Sequence, residues 1–182
     1  MNKTKTFETE RLILRKFKLS DAEDMFKNYT NSEKVCEFLT WAPHGKIENT
    51  KLYLKNIVLP RYKNEDELVW ALQLKETGDV IGCFDVCSQK QSKNRMMLGW
   101  VLSEKYWGQG LMPEAGKTLI PYLFSLGAIR IEAIHDVRNP KSGRVMQKIG
   151  MQHEGTLRKY DRNWNGELVD AEIYSIIKGE EK

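Results

Sequence analysis

Two glycines that flank a single residue stand just before a marked helix start. Gly108 and Gly110 lie in the stretch YWGQGLMPEAG, and Pro113 and Glu114 follow in the expected first helical turn. The first N–H groups of a helix lack internal partners and carry partial positive charge, so a glycine bend before them can hold an anion such as phosphate. Proline suits that turn because its missing N–H would have no helical acceptor. A tight strand-to-helix turn explains a lone G-x-G at least as well.

Two common phosphate-binding motifs do not fit this bend. A P-loop needs Gly-Lys-Ser/Thr at its end, and none is present. A dinucleotide fingerprint needs a third glycine where Pro113 stands. The bend therefore matches neither of these two phosphate-binding motifs.

A second group of polar residues opens the stretch NPKSGRVMQKIG. Asn139 has the chemistry of a helix N-cap, Pro140 fits the first helical position, and Gly150 fits the helix stop. Ser142 then falls in the first turn, on the side where Asn139 projects. Taken singly, Asn139 is more often only a cap, and Ser142 is more often only a first-turn hydroxyl.

These residues must be positioned by a mixed sheet. Apolar alternation and β-branched runs predict strands over residues 11–17, 67–75, 80–87, 95–102, 129–137, 151–160 and 168–177, with a hairpin turn at ETGD. Antiparallel strands followed by strand, helix, strand and helix indicate an α/β fold with helices on the faces of the sheet.

Several helices are expected between these strands. Ser20 with Glu23 three residues later predicts a capping box, and further helices are expected over residues 33–39 and 48–62. Pro121 should kink the helix that begins near Pro113, or end it early.

The composition is that of a soluble globular protein. The 182 residues suit one domain, residues 1–182 with a core of about 8–177, and 41% are hydrophobic and 30% charged. The net charge is +4, but both signs are interspersed, which favours a solvated surface over a nucleic-acid site and also suits an anionic small ligand.

Membrane, secretion and metal sites are not indicated by the sequence. The apolar runs fall short of the roughly 20 residues of a membrane helix, and the polar start lacks a secretory signal, so a cytoplasmic protein is expected. Cys36, Cys83 and Cys87 are odd in number and lack C-x-x-C spacing, which favours buried thiols over disulfides or metal ligands.

The motifs in this order resemble the GNAT superfamily of acyl-CoA-dependent N-acetyltransferases, and most of all its ribosomal-protein N-terminal (alanine or serine) branch. The stretches that carry the resemblance are ETERLILR, WAPH, LGWVLSEKYWGQGLMPEA, NPKSGRVMQKIGMQHEG and VDAEIYSI. Each stretch alone is weak, and the specificity comes from their joint occurrence.

The resemblance implies a mostly antiparallel sheet of about seven strands, splayed between the fourth and fifth, and acetyl-CoA as co-substrate. By motif matching, Asn139 would contact the CoA arm, and Ser142 would lie near the sulfur as general acid. The bend would give N–H groups to the CoA pyrophosphate, and the strand before it would pair with the pantetheine. The matched residues are Trp107, Gly108, Gln109, Gly110, Leu111 and Met112 in the bend, and Trp100, Val101 and Leu102 in the strand. A homodimer through the closing strands is allowed by resemblance only.

Two positions depart from the family pattern. Met112 stands where Gly or Ala is usual, and Met97 stands where many relatives have a glutamate that acts as general base. An α-amine has a pKa of about 7.7–8.0, against about 10.4 for lysine, so an α-amine needs less help to lose its proton. The missing carboxylate therefore favours a protein N-terminal amine or another weakly basic amine as acceptor.

Other groups are candidates for the base, directly or through water. Asp161 stands within about one residue of a carboxylate that related enzymes place on the loop after EG, although it also fits an ordinary turn residue. Glu132 could equally be an exposed strand residue, and His135 a strand-end residue with an ordinary hydrogen bond. None of the three stands out.

The predicted reaction is direct attack of a bound amine on the acetyl thioester. A backbone N–H near Gly99 or Trp100 would stabilise the oxyanion, and the strand setting of Cys83 and Cys87 argues against an acyl-enzyme. The acceptor would lie under a lip lined by Phe38, Trp41 and His44, each of which also fits a core or loop position.

Three alternatives stay open. One is a polyamine or aminoglycoside acetyltransferase, which a wide acidic groove would favour. Another is a catalytically silent acyl-CoA-binding module, which Met97 would permit. Nucleic-acid binding is the weakest, because it rests only on the basic charge and five tryptophans.

Overall fold

The protein was analysed as a computed structural model, which describes residues 2–65, 67–88 and 94–180. Within these ranges eight strands form one mixed sheet in the order β1-β2-β3-β4-β5-β6-β8-β7. The strands are β1 (Phe7–Glu8), β2 (Leu12–Arg15), β3 (Val69–Leu74), β4 (Val80–Ser88), β5 (Arg95–Leu102), β6 (Arg130–Asp136), β7 (Gln152–Arg162) and β8 (Leu168–Ile177). The predicted mixed α/β fold is confirmed, and the count exceeds seven because of the two-residue β1.

One strand pair in the sheet is parallel, and it is also the place where the sheet opens. β5 pairs with β6 only from Arg95 opposite Arg130 to Leu98 opposite Ala133. β5 continues for four further residues, which remain paired with β4. The sheet therefore parts at the predicted splay, between its fifth and sixth strands when β1 is counted.

Helices cover both faces of the sheet, as predicted. The helices are α1 (Ala22–Met25), α2 (Glu33–Cys36), α3 (Ile47–Tyr53), α4 (Leu59–Arg61), α5 (Leu111–Ser125) and α6 (Pro140–Lys148). Residues of α5 and α6, such as Leu119 and Met146, share one buried core with Leu72 of β3. Residues of α1, such as Met25, share a second core with Ala71 on the other face. A strand buried on both faces explains the near-continuous apolar run of β3.

The predicted capping box at Ser20 and Glu23 is wrong. A short 3₁₀ turn over Leu19–Asp21 precedes α1, and the Asp21 carboxylate accepts a hydrogen bond from the Lys18 N–H at 2.7 Å. Asp21 also holds the Arg15 guanidinium through two bonds of 2.8 and 2.9 Å. Because this ion pair is nearly buried, it fixes which residue caps the turn.

Two other helix predictions need correction. α2 ends at Cys36 rather than near residue 39, and its N-cap is Ser32, whose hydroxyl accepts from the Val35 N–H. α5 starts at Leu111, two residues before Pro113, and continues past Pro121 to Ser125. Pro121 is exposed, whereas Leu123 beyond it is buried in the core, so packing on the opposite face of the helix continues past the proline.

The segment after residue 46 is irregular, as predicted. α3 and α4 are joined without interruption by a π-helical turn, Leu54–Val58. No helix in the described ranges is both long enough and apolar enough to cross a membrane.

Candidate active site

The parting of β5 and β6 opens into a cavity of about 1020 Å³. Its walls are the free end of β5, the glycine bend, the start of α6, the loop after α2 and part of the β7–β8 hairpin. Phe38, Trp41 and His44 all line it, as the lip hypothesis predicts. Residues predicted for the cofactor site and residues predicted for the acceptor site thus line the same cavity.

The glycine bend has a backbone that favours glycine at two positions. Gly108 and Gly110 have φ of 79° and 80°, in the left-handed region that other residues adopt at a cost, and Gly110 is the N-cap of α5. Among the hydrogen bonds of the described residues, none is donated by a main-chain N–H from residues 108–112. These donors fit a phosphate group. Met112 is the second residue of α5, is 3% exposed and packs in the core. Its large side chain therefore does not fill the bend.

The free edge of β5 follows from the alternation of an antiparallel ladder. The Ser103 N–H donates to the Ile81 carbonyl at 2.8 Å, and Leu102 stands opposite Gly82. Because hydrogen-bonded and non-hydrogen-bonded pairs alternate, the main-chain groups of Val101 point toward β4, and those of Trp100 and Leu102 point toward the opening. The Leu102 carbonyl is taken by the Trp107 indole N–H at 2.8 Å.

The N-terminus of α6 lies beside this opening. The Asn139 side chain accepts from the Ser142 N–H at 3.4 Å, which confirms the predicted cap, and Gly150 has the positive φ of a helix stop. Ser142 is half-buried and lines the cavity with Asn139. The Lys141 ammonium lies 4.5 Å from the centre of the Trp107 ring, which joins α6 to the glycine bend. The structure therefore brings Ser142 and the predicted cofactor residues to one cavity, except Gln109, which lies outside its lining and donates to the Lys105 carbonyl.

Glu132 does not fit the role of a base. It is 1% exposed and lies outside the cavity lining. One of its oxygens accepts from Arg95 at 2.8 Å and the other accepts from Arg130 at 2.9 Å. The expectation of an exposed strand residue is wrong, because this ion pair buries the carboxylate.

Asp161 and His135 both line the cavity. Asp161 lies in β7, opposite Val169 of β8, so its interpretation as a turn residue is wrong. The His135 Nδ1 donates to the Asp136 carbonyl at 2.7 Å, and the buried Nε2 has no hydrogen-bond partner among the described residues. A Cβ on Gly143 would lie 2.7 Å from that Nε2, so the ring packs against the first turn of α6.

Arg11 and Glu114 support the glycine bend, a role that the sequence did not reveal for Arg11. Glu114 accepts from the Arg11 N–H at 2.9 Å and from its Nε at 2.8 Å, while Arg11 also donates to the Gln109 carbonyl at 2.9 Å. Burial acts to raise the pKa of Glu114, but hydrogen bonds from Thr9 and Arg11 outweigh it and hold that pKa below its usual range. The pair ties the turn before β2 to the start of α5.

Asp85 and Tyr29 are two further polar residues of the cavity that sequence reasoning missed. Both oxygens of Asp85 accept from the Arg61 guanidinium, at 2.6 and 2.9 Å. Tyr29 is 2% exposed, and its hydroxyl has no hydrogen-bond partner among the described residues. Burial raises the pKa of Tyr29 well above its usual value. A charged residue inside the apolar run VIGCFDVC was the signal that could have identified Asp85.

The lip over the cavity is an aromatic cluster. The His44 ring lies 5.6 Å from that of Trp41 and 5.5 Å from that of Tyr53, centre to centre. The His44 Nδ1 also shares a hydrogen bond of 2.8 Å with the Thr50 hydroxyl. Burial lowers the pKa of His44, so near neutral pH this ring is uncharged and acts as part of an apolar wall.

Cys36 and Cys83 form no disulfide with another described residue. Burial raises the pKa of Cys36 to about 12, so its thiol stays protonated. Cys83 is half-buried and lines the cavity, which is less burial than expected, and the side chain of Cys87 lies outside the described part of the chain. No group of three or more His, Cys, Asp or Glu in the described ranges could hold a metal ion.

Comparisons with known proteins agree with this geometry. Residues 11–152 match the model of the acetyltransferase (GNAT) domain family. The uncharacterized N-acetyltransferase p20 of Bacillus licheniformis is 31% identical over 179 residues, covering 96% of this chain and 97% of that protein.

Solved structures share the fold. A GNAT-family acetyltransferase of Bacillus anthracis superposes with a TM-score of 0.81 at 26% identity, over 95% of this chain and 98% of the other. The ribosomal-protein-S5-alanine acetyltransferase of Vibrio fischeri superposes with a TM-score of 0.80 at 24% identity, over 98% and 99% of the two chains. The chain therefore belongs to the GNAT family, and it is an N-acetyltransferase.

Proposed function

We propose that the protein transfers the acetyl group of acetyl-CoA to the α-amine of a protein N-terminus. The observation that carries the choice of acceptor is Met97, which lines the cavity on β5 where a carboxylate base would be expected. Without that base, an acceptor that is already partly neutral near pH 7 is favoured, and an α-amine is neutral far more often than a lysine amine. The Vibrio fischeri structure adds support, since its name assigns it a ribosomal protein as substrate.

The residues of the bend are proposed to hold the coenzyme. The N–H groups of residues 108–112 would bind the pyrophosphate, and the free edge of β5 at Trp100 and Leu102 would pair with the pantetheine arm. Asn139 lines the same cavity and would contact that arm. Acetyl-CoA supplies an acetyl group already activated as a thioester.

The chemistry then needs a donor for the oxyanion and an acid for the thiolate. Of the two candidate N–H groups, that of Trp100 points toward the opening, whereas that of Gly99 points toward β4 by the ladder alternation. We therefore assign the oxyanion donor to Trp100 and the general acid to Ser142. Asp161 can accept the amine proton through water, because it lines the cavity and is half-buried.

The cavity favours this acceptor over a polyamine or an aminoglycoside. Its described lining carries more basic than acidic side chains, and the carboxylate of Asp136 is already paired with Arg138. A polycation gains little attraction in such a cavity.

A thiol-release screen with acetyl-CoA tests the acceptor class. The panel contains peptides with a free α-amine, Nα-acetylated peptides with one lysine, polyamines and aminoglycosides. We expect the highest kcat/KM with the free α-amines. Turnover restricted to polyamines or lysine side chains would contradict the assignment, and binding of acetyl-CoA with no turnover would indicate a silent binding module.

The support of the bend gives a separate prediction for coenzyme affinity. Replacing Glu114 with Gln removes the charge that holds Arg11, and we expect the Kd for acetyl-CoA to rise about 3- to 10-fold at pH 7, the range of one partly buried ion pair with its hydrogen bonds. Titration calorimetry measures this Kd.

The wild-type pH dependence follows from the same pair. Because the pKa of Glu114 is lowered in the fold, the stabilisation is complete above the ordinary pKa of about 4.3 and is lost as the pH falls through the lowered value. The contribution of the Arg11–Glu114 pair to acetyl-CoA affinity should thus be constant from pH 7 to 5. An unchanged Kd in the Glu114→Gln variant would show that the pair does not position the bend.

A further inference from the structure

Asp85 lies where its carboxylate can face the acceptor. It stands on β4 opposite Gly99 of β5, and Met97 is two residues before Gly99 on the same face of β5, next to a register shift of β4 between Val86 and Ser88. Diagonal neighbours in a regular ladder are about 7–8 Å apart, so the two side chains face the same side of the sheet at neighbouring positions. Asp85 and Met97 both line the cavity.

Two carboxylates share one cation at Asp85. Arg61 pairs with Asp85 at 2.6 Å and with Glu67 at 3.3 Å, so one cation is shared by two carboxylates. Each Asp85 oxygen accepts from Arg61 and has a further lone pair available. The Asp85 side chain is 23% exposed in a strand that has neighbours on both sides, and its exposed surface lies in the cavity wall.

A second polar group among the residues of the cavity lacks a partner. Tyr29 is one of the lining residues, and its buried hydroxyl has no hydrogen-bond partner in the described part of the protein. Buried polar groups in folded proteins almost always have a partner, so this hydroxyl is available for a polar ligand. An ammonium group has three N–H donors, enough for both Asp85 and Tyr29.

We propose that Asp85, with the Tyr29 hydroxyl, binds the ammonium form of the acceptor when it enters the cavity, before the amine loses its proton. This assignment rests on the proposed acetyltransferase function and names the acceptor subsite. Asp85 acts in binding rather than as the base, because both of its oxygens are already bonded to Arg61. Its removal therefore raises KM for the amine much more than it lowers kcat.

The test is calorimetry on the complex of the protein with CoA, which has no acetyl group to transfer, so that amine binding is measured without turnover. The probes are an alanine-starting peptide amide, the same peptide with an acetylated N-terminus, and butylamine. We expect Asp85→Asn to weaken binding of both free amines about 10- to 100-fold, as for loss of a hydrogen bond to a charged group. Tyr29→Phe should weaken it less, and binding of CoA itself and of the acetylated peptide should not change.

Asp21→Asn is the matched control. It disturbs the same kind of two-bond arginine pair, with Arg15, at a place outside the cavity lining. It should lower thermal stability as much as Asp85→Asn and leave amine binding intact. In the other direction, the double variant Asp85→Asn with Met97→Glu should regain most of the lost affinity, since it returns a carboxylate to the same face.

Several outcomes would overturn the assignment. The first is that Asp85→Asn binds butylamine as tightly as the wild type does. The second is that Asp85→Asn loses as much affinity for the acetylated peptide as for the free amines. The third is that the wild-type complex binds no amine. The proposed function fails separately, if turnover prefers other amines while the Asp85 effect on butylamine persists.

Discussion

Replacement of Ser142 with Ala is expected to lower kcat about 100-fold and to leave the Kd for acetyl-CoA nearly unchanged. General acid catalysis contributes about 10²–10⁴-fold, and the lower end applies here because a thiol with a pKa of about 8.5 leaves as a fairly stable anion. The helix start should survive, since the bond to Asn139 is donated by the main-chain N–H of residue 142. Steady-state thiol release from pH 6 to 9.5 measures the effect.

The pH profile distinguishes a proton donor from a packing residue. The loss of kcat in Ser142→Ala should become smaller above about pH 8.5, where the released thiolate no longer needs a proton. Ser125→Ala is a suitable control, because Ser125 lies on α5, is exposed and bonds only the Tyr122 carbonyl. A constant deficit at every pH, or none at all, would remove Ser142 from the acid role.

Gly82→Ala should be the most destabilising small substitution in the sheet. A Cβ at this position would lie 2.4 Å from the Val101 carbonyl oxygen and 3.2 Å from the Leu102 Cα. Both are main-chain atoms, so β4 and β5 would have to separate. We expect a loss of about 3 kcal/mol in the free energy of unfolding, at the upper end for overpacking, and a fall of about 6–12 °C in Tm. Urea and thermal denaturation measure both.

Gly116→Ala is the matched control for this substitution. Its Cβ would lie 2.8 Å from Cγ2 of Ile149, a side-chain atom rather than a main-chain atom, and alanine improves the helix by about 1 kcal/mol. A smaller loss of stability than in Gly82→Ala is expected, because the two strands need not separate. If Gly82→Ala were as stable as Gly116→Ala, the close approach of the two strands at residue 82 would be disproved. Acetyl-CoA binding should also weaken in Gly82→Ala, because Leu102 is part of the free edge.

Local chemistry explains which elements could be predicted. β5 was predicted with its exact bounds, because turn-forming residues bound a clear apolar run. The Asn139 cap was predicted because capping depends on three or four neighbouring residues. The cap at Asp21 was missed, since the choice among the polar residues of LSDAE depends on Arg15, a partner on another element.

Non-local pairing explains what the sequence did not show. The opening between β5 and β6 depends on where the ladder stops, at Leu98, and was expected only from the family resemblance. Glu132 and Asp85 are both carboxylates in apolar strands, yet the structure buries the first outside the cavity and exposes the second within it. Their arginine partners and the face of the sheet decide this difference, and neither is encoded within a few residues.

The opening in the sheet also makes the stability of the fold depend on coenzyme binding. Only four residue pairs join β5 to β6, and beyond them main-chain groups at Trp100 and Leu102 have no strand beside them. A coenzyme bound there contributes about 2.7 kcal/mol of stability at a concentration 100 times its Kd. We therefore expect the resistance of the protein to added protease to rise with the concentration of acetyl-CoA.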